Sequence, residues 1–285
     1  MVAKRLDGKA CAEQVEEDLI ERISRCTSLG IKPHLAVVIV GDDPASHVYV
    51  GSKVRACERL GIQSTHIELP AESTEQQVRD TITTLNQQIG LHGILVQSPL
   101  PSHMDEEALT DMIDPSKDVD GFHPQNLGRL VQGRLDGMLP CTPSGVMRML
   151  SWAGVDTEGK TAVVLGRSRI VGMPQALLLG AKGVDSTVTV AHSRTKNTQA
   201  LCADADIVIA AVGIPELVKG DWVKEDTIVI DVGINKTEKG IVGDVAFDEV
   251  SKNAKALTPV PGGVGPMTIA CLLKNTIDCF KRSQI

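Results

Sequence analysis

Aromatic residues are scarce, only 2% of 285 positions, so any core must be filled by Leu, Ile, Val and Ala. There is no long basic run, and the net charge is −7. Both argue against a nucleic-acid partner. The seven histidines form neither HxH nor HExxH, so no metal site is expected. The seven cysteines, Cys11, Cys26, Cys57, Cys141, Cys202, Cys271 and Cys279, show no CxxC and no short paired spacing. An odd number in a long chain favours reduced thiols in a cytosol over a disulfide framework. No apolar run reaches membrane-spanning length, and the amino terminus lacks a signal-peptide core. A soluble cytoplasmic protein without membrane contact is expected, with a removed transit peptide left open. What is present is chain enough for one large or two medium domains with real cores.

The rest of the chain is organised around residues 44–53, Pro-Ala-Ser-His-Val-Tyr-Val-Gly-Ser-Lys. An apolar run at 35–40 and a turn, Gly41-Asp42-Asp43, come before it. Pro44 in a first turn and Gly61 as a stop predict strand, loop, helix. Tyr49 and Lys53, four residues apart, share a face of that helix. Open α/β sheets place ligands at the carboxyl ends of their strands, where this helix should begin. A ring beside an ammonium group there is a candidate reaction site. An ordinary surface helix would look the same from this segment alone. Cys57, one turn on, is a candidate nucleophile or, more simply, a small buried hydrophobe.

Asp7 can cap a helix over residues 8–29, with Cys11, Val15, Leu19, Ile20 and Ile23 on one stripe. Strands follow at 35–40, at 62–69 with alternation, and at 92–97. Ser73-Thr74-Glu75-Gln76 reads as a capping box opening a helix to about 88. A short helix at 106–113 completes a small, mostly parallel α/β sheet. A second series starts near 143. It has helices at 144–153, 173–181 and 198–203, strands at 161–165, 186–191, 207–211 and 227–231, and a turn at 236–239. A last helix spans 267–282. This second βαβ array is organised like a dinucleotide-binding domain.

Residues 163–172, Val-Val-Leu-Gly-Arg-Ser-Arg-Ile-Val-Gly, approach a phosphate-binding turn but depart from GxGxxG. Gly166 fills the first glycine position, Ser168 replaces the second and Val171 the third, with Gly172 one later. Placement between a strand and a helix strengthens the reading. About 25 residues on, where an NAD site usually has an acid, stand Ser193 and Arg194. A hydroxyl and a guanidinium suit a 2′-phosphate, favouring NADP. A solvated surface arginine is the alternative. Gln97 ends a strand and should point its amide to the same place as Lys53. Asp120, in Lys117-Asp118-Val119-Asp120-Gly121, could accept two parallel hydrogen bonds from a heterocycle edge. Each could equally be a loop-stabilising polar group. Residues 258–268 place three glycines between prolines, a closely approachable backbone before a helix.

Together these segments resemble the bifunctional methylenetetrahydrofolate dehydrogenase/methenyltetrahydrofolate cyclohydrolase family over essentially the whole length. The pieces that carry the resemblance are Tyr49-Val50-Gly51-Ser52-Lys53, the run from Gly93 through Val96, Gln97 and Ser98, the Lys117–Gly121 loop, the Gly166–Gly172 turn and Pro259–Thr268. Ser98 departs from the Leu that many members carry after the Gln. The resemblance implies two α/β domains flanking a cleft, the second a Rossmann-like dinucleotide-binding domain. It places a folate-binding catalytic domain at 1–142, completed by the helix at about 267–285, and an NADP-binding domain at 143–266. It implies NADP-dependent oxidation of 5,10-methylenetetrahydrofolate, then hydrolysis to 10-formyltetrahydrofolate, within one-carbon metabolism and purine biosynthesis. Lys53 would be the acid/base residue, Tyr49 would stack on the folate, Gln97 would hydrogen-bond near Lys53, and Asp120 would hold the pterin edge. Val50, Gly51, Ser52, Val96, Ser98, Pro261, Gly262, Gly263, Val264 and Gly265 would line the substrate. Gly166, Arg167, Ser168, Ser193, Arg194 and Ile234 would hold NADP. A homodimer through the nucleotide domain is also implied. Rival readings are a dehydrogenase without cyclohydrolase function or using NAD, a shikimate-type dehydrogenase, and a silent folate- or NADP-binding regulator. Lys53 with Gln97 speaks against the first, Ser193 with Arg194 against NAD, the Tyr49–Lys53 helix together with Asp120 against a shikimate-type enzyme, and Lys53 against a silent regulator.

Overall fold

A computed structural model describes residues 2–27, 30–238 and 240–283. The ends of the expected helix at 8–29 and turn at 236–239 lie outside the described residues, as do the last two residues of the segment 267–285. In chain order the elements begin with β1 (Lys4–Arg5), α1 (Gly8–Thr27), β2 (His34–Val40), α2 (Pro44–Leu60), β3 (Gln63–Leu69), α3 (Glu75–Gln87) and β4 (Gly93–Val96). Then come α4 (Glu106–Thr110), α5 (Pro124–Val131), α6 (Cys141–Trp152), β5 (Thr161–Leu165), α7 (Gly172–Leu179), β6 (Thr187–Ala191) and α8 (Thr198–Asp204). The last are β7 (Ile207–Ala210), β8 (Ile228–Asp231), β9 (Asn235–Thr237), β10 (Gly240–Val242), α9 (Phe247–Val250), β11 (Ala256–Leu257) and α10 (Val264–Arg282).

The chain divides into two compact units. One comprises Val15–Cys141 and the chain from Ile269 on. Its sheet is parallel, in the order β3-β2-β4. All seven residues of β2 are buried, as a central strand covered on both faces requires. Ala36, Val38, Ile94 and Val96 pack there with Val78, Ile82 and Leu85 of α3 and with Leu109. The α3 cap lies one residue later than the capping box expected from sequence. Thr74, not Ser73, is the N-cap, and its partner is Gln77. The Ser73 carbonyl instead meets the His103 ring, 2.9 Å away.

The other unit comprises the chain through Gln14 and Thr142–Thr268. Its six-stranded sheet, β1-β11-β8-β7-β5-β6, is parallel throughout. Here the first residues belong with the second series, where the sequence reading had placed them with the first. Lys4 and Arg5 are too short a run to announce a strand. They pair with Ala256 and Leu257, and Ala3 N–H donates to the Ser251 carbonyl at 2.7 Å. Asp7 caps α1 through Lys9 N–H at 2.9 Å. Cys11, Val15, Leu19 and Ile23 are buried, but Ile20 is 55% exposed and lies off that stripe. The sequence reading also missed α5, α9, β11 and the antiparallel β9–β10 hairpin, all short. Among the described residues no helix is long and apolar enough to cross a membrane.

Candidate active site

In the three-stranded unit the loop after β2 ends at Asp43, whose carboxylate accepts Ser46 N–H at 2.7 Å and so caps α2. Pro44 fills the first turn, and Gly61 closes the helix at φ 72°. The inward stripe of α2 runs through Lys53, Ala56, Cys57 and Leu60. Lys53 is therefore not on a surface face; it is only 5% exposed. Its ammonium donates to Gln97 Oε1 at 2.9 Å and lies 4.9 Å from the centre of the Tyr49 ring, the only tyrosine in the chain. A cation over a ring at that range is worth about 0.5–2 kcal/mol.

Gln97 follows β4, and its own N–H donates to the Val38 carbonyl at 2.8 Å. Its side-chain amide donates to the Ser98 carbonyl at 2.7 Å, which leaves the oxygen aimed at Lys53. The Ser98 hydroxyl donates to Glu106 Oε1, and Leu100 N–H donates to Glu106 Oε2 at 3.1 Å. Ser98 thus ties the loop to the first turn of α4.

Asp120 is placed by a buried neighbour the sequence reading did not single out. Asp118 accepts from Gly121 N–H at 3.0 Å, Phe122 N–H at 3.2 Å, His123 N–H at 2.9 Å and Asn126 Nδ2 at 2.8 Å. One carboxylate thereby fixes the loop and the start of α5. The run of acids in Lys117–Gly121 signalled this, but spacing alone could not say which acid faced inward. Gly93 lets the loop cross β4, since a Cβ there would come 2.4 Å from Val119 Cγ1. Gly121, at φ 78°, has no room for a Cβ against Leu139 and Pro140. From α10, Asn275 Nδ2 donates to the Val119 and Leu139 carbonyls at 2.8 and 2.9 Å.

The charges here oppose and sustain each other. Burial lowers the Lys53 pKa, while Asp120, then Cys141 and Cys57, push it back up. Burial raises Asp120 to about 6, against the pull of Lys53 and with a push from Asp118. Burial thus works against the charged form of both groups, and the attraction between them works the other way. Cys57 is fully buried, and burial pushes its thiol up to about 12. It is a packed hydrophobe, not a nucleophile.

The other expected substrate residues differ in what they can offer. Val50 is buried, Val96 packs into the apolar cluster, and Ser52 Oγ donates to the Val48 carbonyl at 3.0 Å. Pro261 to Gly265 lie in the six-stranded unit, leading into α10. That loop is tied to α1: Gly8 N–H donates to the Gly262 carbonyl at 3.0 Å, and a Gly8 Cβ would strike Gly263 O.

In the six-stranded unit Gly166, at φ 109°, ends β5 and lies so close to Ala211 that a Cβ would meet its carbonyl oxygen at 2.1 Å. Gly172, not Val171, takes the third-glycine role: a Cβ there would meet Gly166 O at 2.3 Å. Ser168 Oγ accepts Val171 N–H at 3.2 Å. Gly166 N–H donates to the Ala191 carbonyl at 2.8 Å, so this turn and the 192–195 turn sit side by side at the carboxyl ends of β5 and β6. Arg167, Ser168, Ser193 and Arg194 are all exposed there. A tight glycine cradle flanked by hydroxyls and guanidinium groups fits a phosphorylated dinucleotide. Ile234, just beyond β8, is 60% exposed. Among the described residues no group of three His, Cys, Asp or Glu could hold a metal ion.

A parallel sheet with a glycine turn of this kind, joined to a second α/β unit with a buried lysine, defines a dinucleotide-dependent enzyme of the Rossmann class. Two family models match the chain: the tetrahydrofolate dehydrogenase/cyclohydrolase catalytic domain over residues 6–120, and the NAD(P)-binding domain of the same family over residues 140–284. The chain belongs to the tetrahydrofolate dehydrogenase/cyclohydrolase family. It is 52% identical to the bifunctional protein FolD of Pelagibacter ubique, covering 98% of this chain and 99% of the relative. It resembles the crystal structure of the bifunctional FolD of Campylobacter jejuni at TM-score 0.95 and 48% identity, covering 99% of each chain. The Trypanosoma brucei dehydrogenase-cyclohydrolase, described as complexed with NADP cofactor and inhibitor, matches at TM-score 0.94 and 40% identity, covering 100% of this chain and 99% of that one.

Proposed function

We propose that Lys53, held by Gln97 and ringed by Tyr49 and Asp120, does the acid/base work in the two reactions of this family. The chain oxidises 5,10-methylenetetrahydrofolate with NADP to the 5,10-methenyl compound and hydrolyses that to 10-formyltetrahydrofolate. NADP supplies the hydride acceptor. Oxidation needs little proton transfer, because the folate nitrogen's lone pair stabilises the cation; it needs positioning.

Hydrolysis is different. Water must lose a proton as it adds to the methenyl carbon. A bound cation repels the Lys53 ammonium, adding to the burial that already favours the neutral amine. The amine then takes the proton of the attacking water, and Gln97 keeps it in place. Asp120 accepts hydrogen bonds from the pterin edge, and Tyr49 covers the ring. Gly166, Arg167, Ser168, Ser193 and Arg194 hold NADP, the last two at its 2′-phosphate, with Ile234 near the cofactor. Pro261 to Gly265 line the substrate through backbone groups. A catalytic unit, Val15–Cys141 with the chain from Ile269 on, and a dinucleotide unit, the chain through Gln14 with Thr142–Thr268, carry these roles, in a cytoplasmic homodimer.

The observation that carries the reading is the buried Lys53–Gln97 bond. The test follows absorbance at the nicotinamide band with methylenetetrahydrofolate and NADP or NAD, and methenyl decay separately. Near wild-type hydrolysis by Lys53→Met would overturn the base assignment.

A further inference from the structure

The six-stranded unit contains a second polar centre that no role above uses. Asp231, at the end of β8, and Asp244, after β10, are 3% and 0% exposed. Asp231 Oδ1 accepts Gly233 N–H and Asp244 N–H, both at 2.9 Å, and Oδ2 accepts Val245 N–H at 3.0 Å. Asp244 Oδ2 accepts Val212 N–H at 2.6 Å and Gly213 N–H at 2.9 Å, and Oδ1 accepts Asn235 Nδ2 at 2.8 Å. Two adjacent buried carboxylates are costly, and here they spend their acceptors on backbone N–H groups. Gly233 and Gly243 exist to admit them. A Cβ on Gly233 would meet Asp244 Oδ1 at 2.2 Å, and one on Gly243 would meet Asp231 Oδ2 at 1.8 Å.

Their backbone partners are informative. Val212 and Gly213 follow β7; Gly233 and Asn235 follow β8 and flank the exposed Ile234. Both loops lie at the carboxyl edge of the parallel sheet, the edge that also carries Gly166, and Ala211 packs directly on Gly166. Ligands of such sheets bind along that edge. The β5–β6 end is assigned to the phosphates, so the loops after β7 and β8 face the remaining part of the dinucleotide.

We infer that Asp231 and Asp244 are positioning residues for the dehydrogenase reaction, clamping the loops after β7 and β8 into the shape that receives the nicotinamide end of NADP. This rests on the reading of the β5–β6 end as the phosphate site. Neither carboxylate touches the ligand; each acts through backbone. Replacing either by Asn puts an NH2 donor where an acceptor oxygen stood, so an N–H group there loses its partner and the loops must move.

The full-length protein is tested as Asp231→Asn, Asp244→Asn and Asn235→Ala. NADP affinity is measured by calorimetry, dehydrogenase kcat and KM by absorbance, and cyclohydrolase rate as an internal control. The aspartate variants should weaken NADP binding by about tenfold, the loss of one charge-assisted hydrogen bond, with hydrolysis within about twofold. Asn235→Ala, a milder cut into the same clamp, should weaken NADP binding by about threefold. If the aspartate variants do not fold, Asn235→Ala decides. NADP affinity unchanged in every folded variant, or hydrolysis falling in step with it, overturns the inference. Failure of the wild-type protein to bind NADP would instead sink the dinucleotide reading itself.

Discussion

The two units solve the same problem, a polar centre inside an apolar sheet protein, in opposite ways. In the three-stranded unit, opposite charges meet: Lys53 and Asp120 perturb each other's titration, and in the proposed function that pair serves the chemistry. In the six-stranded unit, like charges meet. Asp231, raised to about 7 by burial, with backbone N–H groups pulling it down and Asp244 pushing it up, spends its oxygens on backbone N–H groups. The first arrangement keeps a side chain reactive. The second converts side chains into scaffolding and leaves binding to the backbone and exposed residues. A buried ionisable group therefore marks chemistry only when its hydrogen-bonding capacity is not already used by its own loop.

The largest expected effect that would break this comparison is Lys53→Met. Hydrolysis of methenyltetrahydrofolate should fall by about 10³-fold, within the range for loss of a general base, while calorimetric NADP affinity stays unchanged. A parallel loss of NADP affinity would mean that the units are not separable in this way. The mirror-image change is Arg194→Ala. It should raise KM for NADP by about tenfold through loss of a charge-assisted contact, narrow the preference over NAD, and spare hydrolysis. Kinetics showing NAD used as well as NADP by the wild type would count against the role of Arg194.

A smaller effect sharpens the contrast in titration. Asp120 is ionised above about pH 6 and neutral below it, and only the carboxylate accepts two hydrogen bonds from a pterin edge. In wild type kcat/KM for folate should fall as pH drops through about 6. Asp120→Asn should lower it at all pH values and flatten that limb. A limb that persists in the variant would place the titrating group elsewhere. The smallest effect is expected from Cys57→Ala. Both activities should stay within about twofold, and thermal unfolding should show a loss of about 1 kcal/mol for a trimmed buried side chain.

Much of this was legible in sequence, for reasons that differ by residue. Pro44 and Gly61 bracket α2 because each has one dominant backbone preference. The four-residue spacing put Tyr49 and Lys53 on one face, but not which way that face turned; only packing against β2 and β3 made it inward. Gln97 at a strand end pointed to Lys53 because a strand's exit is a defined place. Asp118 was missed because two acids two residues apart look alike until the loop is folded. Asp231 and Asp244 were missed because their meaning lies in which N–H groups face them, thirteen residues apart in sequence. Gly172 could be read only as a near miss of a glycine pattern until its contact with Gly166 gave it a role. β1 and β11 are two residues each, too short for any period to register.

That last pair has a consequence for biosynthesis. Lys4 and Arg5 are paired with Ala256 and Leu257, so one strand leaves a ribosome long before the strand that pairs with it. The outer margin of the larger sheet can be sealed only once the chain through residue 257 exists. A nascent chain stalled before residue 256 would carry an unmatched leading strand and an open flank on β8.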